Sequence, residues 1–118
     1  MIERVSDLDK PRLLGQLFIA YLDSVISADD LRRLVHAVDV AFVDDLQKLL
    51  QSGAPSNSGT HLEFLVSSGL SRVVTGSTWD EVGKISYETT MLAYEMVKAY
   101  YHVNGRPESS LNQFIGGI

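Results

Sequence analysis

No cysteine occurs anywhere in the chain. That absence excludes a disulfide framework, a thiol nucleophile and a thiolate metal site together. Basic residues are also scarce, ten lysines and arginines against fifteen acids, for a net charge of −5. The deficit is spread along the chain, with six basic against nine acidic side chains over 1–52 and four against six over 53–118. Affinity for nucleic acid comes from cations set against phosphates, so this balance argues against such a partner while leaving room for a local patch. Long apolar runs are missing too. The stretch from Leu17 to Leu22 falls well short of the roughly 20 residues that a bilayer-spanning helix needs. MIERVSDLDKP at the start alternates charged and apolar side chains and lacks the apolar core of a secretory signal, so the expected location is the cytoplasm.

What is present suits one globular domain. The chain has 118 residues, 45% hydrophobic and 21% charged, enough to bury a single core and too few for two. Asp9 is placed to cap a helix whose first turn holds Pro11, where a missing amide hydrogen costs nothing. Leu14, Leu17, Phe18, Tyr21, Leu22 and Val25 then recur at helical spacing, which predicts a helix over 10–26. Ser27, with Asp30 three residues on, opens a second helix, and Asp29 and Asp30 lie where the helix dipole favours negative charge. Its stripe runs from Leu31 through Leu34, Val38, Phe42, Leu46 and Leu50 to a stop at Gly53 and Pro55. That span of 28–52 is long for one helix, and a break near Asp39 or Asp44 is open.

APSNSG, residues 54–59, is the most loop-like stretch, and Thr60-His61-Leu62-Glu63 after it has the form of a capping box. A short third helix over HLEFLVSS should end at Gly69 in a left-handed cap, with Leu70 folding back on the last turn. LSRVVT, 70–75, and KISY, 84–87, read as the strands of a hairpin. A rival helix through Trp79, Val82, Ile85, Thr89, Leu92 and Met96, capped by Thr78 and Glu81, fits the spacing as well. Gly83 inside that helix favours the hairpin. The last helix carries Met91, Leu92, Tyr94, Met96, Val97, Tyr100 and Tyr101 and stops at Asn104-Gly105 and Pro107. The expected fold is therefore mainly α within an α+β class. It comprises a helical domain of four to five helices with one β-hairpin over 1–106, followed by an apolar C-terminal tail over 107–118.

Leu65-Val66-Ser67-Ser68-Gly69-Leu70 is similar to the end of a third helix passing into a wing strand. Tyr87-Glu88-Thr89-Thr90-Met91-Leu92-Ala93 is similar to the exit from the wing into a helix. On these two stretches the chain resembles winged helix-turn-helix domains. The resemblance implies a winged-helix-like scaffold and DNA binding through the third helix. That helix has no lysine or arginine and does have Glu63, whereas a recognition helix needs cations for phosphates and forked donors for guanine edges. A DNA-binding regulator of this type would have to use Arg72 and Lys84 on the wing and Arg32 and Arg33 on the second helix.

Asp23-Ser24-Val25-Ile26-Ser27-Ala28-Asp29-Asp30 resembles the second half of an EF-hand loop, and also the turn between helices in tellurite-resistance-type helical domains. Calcium needs six to eight oxygens, most of them early in the loop. Ile19, Ala20, Tyr21 and Leu22 supply no carboxylate, and Ser24 stands where the sharp bend calls for glycine. The stretch reads as a capped corner. His36, His61 and His102 fall on three different helices, with Asp39 the nearest acid to any of them at helical spacing, so no metal or other cofactor is expected. Asp29-Asp30, Asp44-Asp45 and Asp80-Glu81 are adjacent pairs, whose side chains diverge by about 100° on a helix instead of converging on a substrate. No catalytic activity is expected.

The aromatic last helix remains. Tyr87, Tyr94, Tyr100 and Tyr101, with Met91 and Met96, occupy more than one side of it, which fits either a helix buried all round or one that meets a partner. The apolar tail favours association. A protein-interaction or assembly module follows, self-associating as a homodimer, with Tyr94, Tyr101, Phe114 and Ile115 as contacts.

Overall fold

The computed structural model describes residues 8–75 and 85–105. The elements run α1 (Lys10–Leu22), α2 (Ala28–Val40), α3 (Val43–Ser52), α4 (His61–Phe64), β1 (Ser71–Thr75), β2 (Ile85–Thr89) and α5 (Met91–Asn104). This is a mainly helical α+β fold with five helices and one antiparallel hairpin. The rival helix through Ile85 and Thr89 is excluded because both lie in β2. Its first part, with Thr78, Trp79, Glu81 and Val82, and the tail over 107–118 lie outside the described residues. No helix among the described residues is long and apolar enough to cross a membrane.

Local signals set most of the boundaries. The Asp9 carboxylate accepts from the Arg12 amide at 2.8 Å at the start of α1, and the Ser27 hydroxyl accepts from the Asp30 amide at 3.1 Å at the start of α2. α1 ends at Leu22, a turn earlier than the apolar spacing predicts. Ser24 adopts a left-handed φ of 63°, so the Val25 amide reaches back to Ala20 O at 2.9 Å and the Ser24 amide to Tyr21 O at 3.0 Å. That pair of bonds is a Schellman closure, here with serine in the glycine position. The span 28–52 is broken between the two expected places. Ala41 and Phe42 are extended, and α3 starts afresh with Asp44 and Asp45 in its first turn. The break turns Leu46, Leu49 and Leu50 into the core.

The Thr60 capping box does not form. Thr60 is already helical in φ and ψ and its side chain makes no cap bond. Tight bonds from Leu62 N to Gly59 O and from Glu63 N to Thr60 O, each 3.3 Å, wind the chain into a single turn instead. After Phe64 the chain turns, with the Ser68 hydroxyl donating to Leu65 O at 2.7 Å, so the helix expected over HLEFLVSS stops short. Gly69, at φ 84°, closes the turn: its amide meets Val66 O at 3.0 Å and that of Leu70 meets Leu65 O at 3.3 Å.

The strands pair from Ser71 opposite Thr89 to Thr75 opposite Ile85. Thr90 then serves both sides of the junction, accepting from the Ala93 amide and donating to Gly69 O at 2.7 Å. α1 packs between α2 and α5, with Leu13, Leu17, Ala20, Leu34, Val38, Met96, Ala99 and Tyr100 at the centre of the core. The loop 53–60 is tied to β2, where Ser56 exchanges bonds with the Thr89 amide and hydroxyl, both 2.8 Å.

Candidate functional site

α5 carries Tyr94, Val97, Lys98 and Tyr101 at three- and four-residue spacing, hence on one face. With His102, with Val25 from the α1–α2 corner and with Ala54 from the loop after α3, they line a cleft of about 400 Å³. Three polar groups of this cleft have partners within the chain. The Tyr101 hydroxyl donates to Leu50 O at 2.6 Å, tying α5 to α3, and burial raises the pKa of the phenol, which keeps it a donor. Lys98 Nζ sits 5.7 Å from the Tyr94 ring centroid and pairs with Glu95 at 2.9 Å. His102 Nε2 lies 2.9 Å from Asp23 Oδ2. Beside these polar groups, Val25, Ala54, Val97 and the Tyr94 ring give the cleft its apolar wall.

A second, smaller cleft of about 270 Å³ is lined by Pro55, Thr89, Thr90, Met91 and Tyr94. Tyr94 is common to both. It is 43% exposed and Met91 is 73% exposed, so an apolar band follows the start of α5 from one cleft to the other. Of the residues expected at an interface, Tyr94 stands on this surface. Tyr101 is half-buried and stacks edge-on against buried Tyr100, with centroids 5.1 Å apart. Phe114 and Ile115 lie outside the described residues. Ala54 and Pro55 belong to the wall through loop geometry, and nothing local in the sequence marks them.

The cations expected to meet DNA are dispersed. Arg32 is paired with Asp29 and Arg72 with Glu88, Arg33 is exposed on α2, and Lys84 lies outside the described residues. α4 is one turn long and carries Glu63.

One cluster has the residue types of a hydrolase. His61 is buried on α4, its Nε2 stands 3.4 Å from Ser52 Oγ, and Asp45 and Lys48 act on it from α3. The Ser52 hydroxyl donates to Lys48 O at 2.8 Å, so its oxygen presents a lone pair to the ring and accepts from Nε2–H. That order is opposite to a serine deprotonated by histidine. His61 has its pKa lowered, first by desolvation and then by Lys48, with Asp45 opposing. It also packs under Gly59, whose Cα is so close that an added Cβ would come within 2.5 Å of the ring. Among the described residues no group of three histidine or acidic side chains could hold a metal ion.

Compared with models of protein families, with proteins of known function and with solved structures, the chain gives no match.

Proposed function

We propose that the chain is a cytoplasmic protein-interaction and assembly module without catalytic activity, which self-associates through the cleft along α5. The supporting observation is the apolar band of Met91, Tyr94, Val97 and Pro55, whose polar neighbours already have partners within the chain. The occupant is the apolar segment of a second copy, supplied by Leu111, Phe114 and Ile115. This segment follows the helix that lines the cleft. Extended from Leu111 to Ile118 at about 3.3 Å per residue, it would span roughly 25 Å, enough to lie along the roughly 20 Å of α5. Apolar and aromatic side chains buried together are what a stable protein contact requires, and phenolic hydroxyls at such a contact stay satisfied at the rim.

Light scattering on the full chain and on a chain ending at residue 106 tests this. A dimer that loses mass on truncation supports the reading. A full chain that stays monomeric at high micromolar concentration overturns it, as does binding to random duplex DNA that weakens steeply with salt, which would make the chain a regulator of the winged-helix type.

A further inference from the structure

The buried His61 ring touches both ends of the loop 53–60. At the near end its Nε2 stands 3.4 Å from the hydroxyl of Ser52, the last residue of α3. At the far end its Cε1–Nδ1 edge lies under Gly59, where an added Cβ would come within 2.5 Å of Cε1 and 2.6 Å of Nδ1. Gly59 adopts a φ of 112° and leaves to the ring the space that any other side chain would take. Between these two points Ser56 holds the loop to β2: the Thr89 amide donates to Ser56 O and the Ser56 amide to Thr89 Oγ1, each at 2.8 Å.

The positions of the protons make this closure sensitive to acid. Ser52 donates its hydroxyl hydrogen to Lys48 O and accepts from His61 Nε2–H, so Nδ1 is the nitrogen left to take up a further proton. Nδ1 faces the Cα of Gly59, which is no acceptor, and the bond to Ser52 is the one hydrogen bond of the ring among the described residues. A second proton would therefore create a buried cation with an unbonded N–H, whereas a ring turned out to water has both of its N–H groups hydrated.

We propose that His61 is a proton-operated latch: the neutral ring pins both ends of loop 53–60, and protonation turns the ring out and releases the loop. Of the charged side chains on the elements packed around α4, Lys48 of α3 opposes the proton and Asp45 of α3 favours it. Arg72 of β1 and Glu88 of β2 are paired with each other, and Glu63 of α4 itself is exposed. Desolvation is the largest influence and, with Lys48, outweighs Asp45, so the folded ring has a pKa below the ordinary histidine value and the latch is shut at neutral pH. The opened ring binds the proton more tightly, so opening is favoured as pH falls below about 6.5. Ala54 and Pro55 ride on this loop and line the two α5 clefts, which makes the walls of both clefts responsive to acid. The latch depends on the loop geometry alone and holds whether or not a second copy occupies those clefts.

Amide hydrogen exchange of the full chain, followed by NMR at about pH 7.5 and about pH 5.5, tests it, with each rate referred to that of an unprotected amide at the same pH. The reporters are the Leu62 amide, bonded to Gly59 O at 3.3 Å, and the Thr89 amide, bonded to Ser56 O. Their protection should fall several-fold on acidification, at most about tenfold, while that of the Leu34 amide in α2 holds. Lys48→Gln, at an exposed position, removes the opposing charge and should shrink the fall, and His61→Gln should abolish it. Unchanged protection at Leu62 and Thr89, an equal fall at Leu34, or an equal fall in either variant overturns the latch. If His61→Gln does not fold, the comparison of Lys48→Gln with the wild type decides alone.

Discussion

Ser24 shows how much a single residue can reveal about a corner. Its φ of 63° is a conformation that a side chain disfavours by about 1–2 kcal/mol, yet the Schellman closure of α1 needs it there. Ser24→Gly should therefore raise stability by about 0.5–1 kcal/mol after the added freedom of the unfolded chain is subtracted, read as a higher urea midpoint at unchanged slope. His61 carries the second residue-scale prediction. Its folded-state pKa is lowered, so its contribution is complete above the ordinary histidine value and is lost as pH falls below about 6.5, where the unfolded chain takes up the proton that the folded one resists. The urea midpoint of the wild type should fall between about pH 7.5 and pH 5.5 by more than that of His61→Gln. Equal falls would mean that other groups control the acid limb. The sequence marks His61 as a candidate ligand. Its burial and its Ser52 and Lys48 surroundings come from α3 folding back on α4, which no local pattern encodes.

Among the elements, the caps at Asp9, Ser27, Gly53 and Gly69 were readable in advance, because each is a contact within a few residues of chain. The same reasoning failed at Thr60, where the pattern of a capping box is present and the geometry is not. It also left the place of the break in 28–52 open. Phe42 occupies the N-cap of α3, makes no side-chain cap and is 75% exposed. Phe42→Ser should supply the missing acceptor and stabilise α3 by about 1 kcal/mol, visible as a higher melting temperature. A lower one would show that the Phe42 ring is held by contacts more valuable than a cap. At the hairpin, Gly83 was the deciding residue for strand over helix, and β2 extends two residues past the expected KISY to Thr89, where its hydroxyl meets Ser56.

For the whole molecule, the outer stripe of α1 and the band along α5 are apolar surfaces that stay exposed among the described residues. A dimer that covers the α5 band binds the native state alone, so its melting temperature should rise with protein concentration, and ending the chain at residue 106 should flatten that dependence. A melting temperature independent of concentration over a roughly hundredfold range would leave both surfaces without a partner copy. The sequence by itself determined the local plan, which comprises four to five helices with the starts of the first two, the hairpin after Gly69, and a chemistry without thiols or surplus cations. Tertiary structure alone decided which apolar residues are covered. It buried Leu17 and left Phe18 bare, and it drew Tyr101 in towards Leu50 while leaving Tyr94 out. The reason is physical: a cap or a tight turn is settled within about five residues of chain, whereas the burial of a side chain depends on partners tens of residues away.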